Sequence, residues 1–187
     1  MTGSWTKNWE AMKRTWATGV TDGSVGVIKN TGNGTVLGFN MQSVMSTPLM
    51  PVYGGSNVIG GYVTVRFGGV ETNPTTPGPD DYNIYGPVTS GISYDAVVND
   101  DSVTYDAATG IATRTAKVTI RNTQANDVKL FGEWGLFAAV PYISGSSQRT
   151  AEVLLYRAKF DTPISLAQHE SLTLTFTRGV QLDVPNT

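Results

Sequence analysis

Apolar and polar residues alternate with a period of two along much of this chain. The clearest run is Ser171 to Thr177, where Leu172, Leu174 and Phe176 point one way and Ser171, Thr173, Thr175 and Thr177 the other. Side chains on a strand alternate between its two faces, so this is a half-buried strand with one apolar and one hydroxyl-bearing face. Upstream, Leu154, Tyr156, Ala158 and Phe160 share one phase, Arg157 and Lys159 take the other, and Ile164 and Leu166 continue the apolar phase after Pro163. Ala116, Val118 and Ile120 oppose Lys117, Thr119 and Arg121, while Val63, Val65 and Phe67 oppose Tyr62, Thr64 and Arg66. Residues 130–140 place Leu130, Trp134, Leu136 and Ala138 on one face and Phe131 and Phe137 on the other, which predicts a strand buried on both sides. Short strands are also expected at 92–98 and 103–105.

The opening of the chain follows a different period. Trp5, Trp9, Met12 and Trp16 fall at i, i+4, i+7 and i+11, one stripe of a helix over 4–17, with Ser4 as N-cap and Gly19 as stop. Three uses for that stripe stand open: a lid on the chain's own sheets, docking onto a neighbouring subunit through large aromatic anchors, or a membrane-surface helix. Residues 24–39 carry two short apolar runs around Asn30-Thr31-Gly32-Asn33-Gly34 and read as a hairpin. Residues 40–51 form a Met-rich link with two prolines. They separate a helix-and-hairpin arm (1–51) from a main domain (52–187). The three prolines of 71–81 exclude an interior strand.

Eight to ten such strands at short spacing predict an all-β fold. The expected form is an antiparallel β-sandwich, jelly-roll or immunoglobulin-like, with a short N-terminal α-helix and hairpin. Composition sharpens this. At 187 residues the chain suits one domain with a small appendage, and its 15% of charged residues falls below the roughly 25% usual for soluble proteins. A weakly charged polar surface suits contact with other protein copies as well as it suits any β-sandwich. Net charge is −2, and neither the arm nor the main domain is basic enough to track phosphates, so nucleic acid is not an expected partner. The absence of cysteine excludes disulfides and thiolate chemistry. No membrane span or signal-peptide pattern is expected from the apolar runs.

Candidate chemistry is sparse. His169, the only histidine, lies in Ala167-Gln168-His169-Glu170 between two strand runs and reads as a turn residue, because His tolerates the left-handed region. A catalytic triad or a zinc site built on it lacks its other members. Asp80-Asp81, Asp100-Asp101 and Asp106 match no calcium-loop spacing and read as turn formers. Glu133, an acid inside an apolar strand, is expected to pair with a strand-borne Arg or Lys rather than to act as a catalytic acid. Tyr53, Tyr62, Tyr82, Tyr85 and Tyr94 form a tyrosine-rich middle able to stack on sugar rings. No enzyme activity, cofactor or metal is expected.

Five short segments follow one another within residues 58–180: Asp81-Tyr82-Asn83-Ile84 after a Thr/Pro loop, Glu133-Trp134-Gly135-Leu136, Leu154-Leu155-Tyr156-Arg157, Asp161-Thr162-Pro163-Ile164 and Glu170-Ser171-Leu172-Thr173. In that order they resemble a group of tailed-bacteriophage virion proteins. The first is similar to that group's Asp-Tyr-x-Leu segment, the second to its Glu-x-Gly-Leu strand and the last three to its closing run. Trp134 departs from the usual aliphatic residue, and Gln168-His169 replaces a Pro-Gly turn. The resemblance implies a non-enzymatic building block of the tail, collar or fibre apparatus, located in the virion. Its partners would be copies of itself and other virion proteins. From the residues themselves, Trp5, Trp9, Met12 and Trp16 are the expected contact with neighbours, and neither nucleic acid nor a membrane is an expected partner. Capsid decoration is the competing placement, and a carbohydrate-binding adhesin for a host-surface glycan is the alternative outside that class.

Overall fold

The computed structural model describes residues 1–19, 23–24, 26–36, 63–69, 74–88, 90–95, 102–124, 129–144 and 146–181. The Met-rich link at 40–51, the residues 58–62 and 96–98 of two predicted strands, and Asp100, Asp101, Tyr53 and Tyr62 lie outside these described residues.

Within them the protein is mostly β, with one short helix. The elements are β1 (Thr2–Trp5), α1 (Lys7–Thr18), β2 (Ile28–Lys29), β3 (Thr35–Val36), β4 (Val63–Gly68) and β5 (Ile92–Asp95). They continue with β6 (Ser102–Asp106), β7 (Ile111–Asn122), β8 (Lys129–Ser144), β9 (Ser147–Leu166) and β10 (Ser171–Gln181). One antiparallel sheet runs β1-β9-β8-β4, and a second runs β10-β7-β5 with β6 also on β7. The predicted hairpin is β2-β3, with Asn30 Oδ1 accepting from the N–H groups of Gly32 (3.0 Å) and Gly34 (2.8 Å) across its turn.

The helix starts later than the spacing predicts. Ser4 and Trp5 belong to β1, which pairs with β9, and the N-cap is Thr6 rather than Ser4. The reason is tertiary. The edge of β9 offers backbone partners to Thr2–Trp5, and pairing there outweighs a weak helix preference. Thr6 makes no side-chain cap bond, because its hydroxyl donates instead towards the carbonyls of Leu154 (2.7 Å) and Leu155 (3.1 Å). Gly19 ends the helix as expected, at φ 71.

Two register shifts in the β8-β9 ladder re-sort the faces. Leu136 pairs with Tyr156 but Phe137 with Leu154, leaving Leu155 as an extra residue in β9. Such a bulge reverses the alternation that follows it. Leu154 therefore does not share a face with Tyr156, Ala158 and Phe160, as strict alternation predicts. It packs with Ile84 and Phe137 in a small second cluster, while Val153 and Leu155 join the main one. A second shift between Phe131 and Glu133 puts Phe131 in the main core and leaves Leu130 47% exposed, the reverse of the predicted assignment.

The main cluster draws on both sheets and the N-terminal elements. Phe67, Trp134, Val153 and Ala158 come from the first sheet, Ile120 from the second, Trp9 and Met12 from α1, and Ile28 and Val36 from the hairpin. The described part of 1–51 thus shares its core with the sheets of 52–187. The chain crosses from β9 to β10 through Ala167–Glu170, where His169 has φ 58, the left-handed conformation the turn reading expects. Asn122 secures that corner from inside: its side-chain amide donates to the carbonyls of Leu166 (3.0 Å) and Ala167 (3.2 Å).

Candidate functional site

The most distinctive group of side chains is a buried charge cluster on the face of the first sheet opposite the main core. Glu133 on β8 and Arg157 on β9 are both fully buried and project from that face by plain alternation within the Glu133–Leu136 register, and the bulge at Leu155 brings Leu154 onto the same face. Arg157 Nε and one terminal nitrogen donate to Glu133 Oε2 at 2.7 and 2.6 Å. The other terminal nitrogen donates to Asp81 Oδ2 at 2.9 Å. Arg157 also reaches the Thr75 carbonyl at 3.1 Å, and its guanidinium lies 4.6 Å from the centre of the Tyr85 ring. The planar fork of arginine fits this multi-sided arrangement in a way lysine does not.

Thr75, Asp81 and Tyr85 belong to a strap, residues 74–88, that crosses this face. Further polar ties hold it. Tyr85 N–H donates to Glu133 Oε1, Lys159 Nζ to the Pro74 carbonyl (2.8 Å), Lys7 N–H to the Pro79 carbonyl (2.7 Å) and Lys7 Nζ to Asp80. Gly69 N–H donates to the Gly86 carbonyl (2.9 Å) and Val88 N–H to the Phe67 carbonyl (2.8 Å), so the strap ends by lining the outer edge of β4.

Glycine makes the close approach possible. A Cβ on Gly68 would lie 2.5 Å from the Tyr85 carbonyl oxygen and 2.7 Å from Glu133 Cγ. One on Gly135 would meet Ile84 Cγ2 at 2.7 Å and Leu154 Cδ1 and Phe137 Cε2 at 2.8 Å. Ile84 therefore drops into a seat that exists because position 135 has no side chain. Each of three sequence segments supplies one charge and one element of the seat: Asp81 with Ile84, Glu133 with Gly135, and Arg157 with Leu154.

Burial pushes the Glu133 carboxyl above the usual range, and the Tyr85 N–H and Arg157 oppose that shift without cancelling it. Glu152 is likewise raised by burial, opposed by its ion pair with Arg66. Glu133 thus pairs with a strand-borne Arg as its sequence position predicts. What the sequence reading missed is the hub. Arg157, a cation inside the apolar run Leu154-Leu155-Tyr156-Arg157-Ala158, was the signal that could have found it. Both Glu133 oxygens are engaged, Oε1 by the Tyr85 N–H and Oε2 by Arg157, an arrangement that holds the strap against the sheet.

The four residues of the predicted docking stripe are divided. Trp9 and Met12 are buried in the chain's own core, as the lid reading has it. Trp5 is 43% exposed, stacking on Trp9 at 5.0 Å and edge-on to Tyr156 at 5.0 Å. Trp16 lies in α1, and its side chain is not among those described. Among the described residues the three aspartates have separate partners: Asp80 pairs with Lys7, Asp81 with Arg157, and Asp106 closes its own turn with Thr109 and Ala108. Among the described residues no three His, Cys, Asp or Glu side chains are grouped to hold a metal ion, and no helix is long and apolar enough to cross a membrane. Of the five tyrosines, Tyr82 and Tyr85 are exposed, 38% and 43%, and Tyr94 lies in β5 with its side chain outside the description. Tyr82 lines a cleft of about 500 Å³ between α1, the start of the hairpin and the strap, together with Lys7, Arg14, Val27, Lys29 and Asp80. No family model, curated protein or solved structure matches the chain.

Proposed function

We propose that this protein is a non-enzymatic structural component of a bacteriophage virion, placed in the tail, collar or fibre apparatus and assembling through protein–protein contacts. In this reading the two antiparallel sheets close on each other as a β-sandwich of jelly-roll or immunoglobulin type, and copies repeat around a symmetry axis. The observation that supports it is the convergence of three motif segments. Asp81-Tyr82-Asn83-Ile84, Glu133-Trp134-Gly135-Leu136 and Leu154-Leu155-Tyr156-Arg157 carry the resemblance to phage virion proteins, and they meet in one buried lock. Segments so far apart in sequence have a physical reason to recur together if they brace one fold.

Mass spectrometry of purified phage particles tests the proposal. A fixed number of copies per particle is expected, and a protein found only in the soluble fraction of infected cells overturns it. The carbohydrate-binding reading draws on the Tyr82 cleft. Glycan-array binding that is lost in Tyr82→Ala favours it, whereas an array without signal leaves the structural role as the better account.

A further inference from the structure

β10 is a long edge open along its whole length among the described strands, whereas the outer side of β9 is interrupted by β1 at Tyr156–Lys159. β1, β5 and β6 are four or five residues long, and the outer edge of β4 is lined by Gly86 and Val88. β10 runs for eleven residues, pairs with β7 without a register break, and has no described strand on its other side. Proteins that stay monomeric blunt such edges with charged side chains, proline or a bulge. Ser171–Gln181 has neither proline nor bulge, and Arg178 is its single charge.

The sequence of this edge is close to symmetric about Leu174. Thr173 matches Thr175, Leu172 matches Phe176 in being apolar, and Ser171 matches Thr177 in carrying a hydroxyl. Glu170 and Arg178 complete the pattern with opposite charges. An antiparallel strand generated by a two-fold axis at Leu174 would set each residue against its match, Glu170 opposite Arg178 at both ends. Moving the axis by one or two residues either way sets Glu170 or Arg178 opposite Leu172, Leu174 or Phe176, so the charges select a single register.

The backbone agrees. Asn122 N–H donates to the Glu170 carbonyl, so alternation along the ladder turns the backbone groups of even-numbered β10 residues to β7 and those of odd-numbered residues outward. With the axis at Leu174, the outward residues Ser171, Thr173, Thr175 and Thr177 pair with one another across the dyad. Leu172 and Leu174, half-buried in the single chain, would gain apolar neighbours beside them.

We propose that β10 pairs antiparallel with β10 of a second copy about a two-fold axis at Leu174, joining the two second sheets into one continuous sheet. The contact is isologous and closes on itself as a dimer, with only the short edges left at its ends. It goes beyond the virion reading and holds or fails apart from it.

The protein has no cysteine, which makes register-specific cross-linking clean. Residue 174 and its mate would form a non-hydrogen-bonded pair, close enough for a disulfide, whereas residue 172 and its mate would be four residues out of step. Leu174→Cys is therefore expected to give a covalent dimer under mild oxidation, and Leu172→Cys none. Wild-type protein is expected to sediment as a dimer. Thr175→Pro, which removes an outward N–H but no bond to β7, should sediment as a monomer with its far-ultraviolet circular dichroism retained. Wild-type protein that stays monomeric at its highest soluble concentration overturns the proposal. So does cross-linking of Leu172→Cys as fast as Leu174→Cys, or a dimer that survives Thr175→Pro.

Discussion

Replacing Arg157 by Met removes the hub of the buried lock while keeping most of the stem's apolar volume. Glu133 is fully buried and would lose both of its bonds to the guanidinium. Breaking a buried ion pair from one side typically costs about 3–5 kcal/mol, because the remaining charge is left uncompensated. Asp81 is partly exposed and adds little, since solvent and the Gly78 N–H still serve it. For a chain of this size each kcal/mol is worth about 2–4 °C in melting temperature, so Arg157→Met should lower it by roughly 6–20 °C. The double variant Glu133→Gln/Arg157→Met removes both charges and keeps an acceptor for the Tyr85 N–H. It should recover to within about 1–2 kcal/mol of wild type, a coupling on the order of 2 kcal/mol. Urea denaturation of the four proteins measures the cycle, and hydrogen exchange over residues 74–88 reports whether the strap loosens. A cost below about 1 kcal/mol for Arg157→Met, or strictly additive effects, would refute the view that these charges act as one unit.

Three other outcomes follow from the same geometry. Gly135→Ala should cost about 1–3 kcal/mol by crowding Ile84, Leu154 and Phe137, and a thermal melt at or above that of wild type would contradict the seat. A carboxyl whose folded pKa is raised, as at Glu133 and Glu152, contributes stability that is complete below its unfolded value of 4.5 and is lost as pH rises through the folded value. Wild type should therefore gain in melting temperature relative to Glu133→Gln as pH falls from neutral towards 4.5, and a relative loss over that interval would speak against burial as the cause. His169→Gly should be neutral or raise stability by up to about 1 kcal/mol, because glycine adopts φ 58 without strain; a clear loss would mean that the imidazole itself matters to the corner.

What the chain discloses before folding is whatever depends on local periodicity. Leu172 and Leu174 against Thr173 and Thr175, the turn at His169, the hairpin around Asn30 and the helix stop at Gly19 all follow from a period or a turn preference within a few residues. The features that escape it depend on distant partners. β1 exists because β9 has an edge to offer Thr2–Trp5, which no window around those residues contains. Leu155 looks like any other member of an apolar run, and its bulge arises only because β8 and β9 disagree by one residue. Glu133 signals that it needs a cation, but Asp81 carries no sign of sharing the same arginine, since an acid in a proline-rich loop reads as a turn former. Trp5, Trp9 and Met12 sit at helical spacing, yet β1 takes Trp5 away from the helix that buries the other two.

The proposed role as part of a larger particle can be read from location alone, by negative-stain imaging of intact phage particles labelled with an antibody to this protein. Label is expected at one recurrent position on the tail, collar or fibres. Particles that remain unlabelled while the antibody recognises the protein in the surrounding lysate would contradict it.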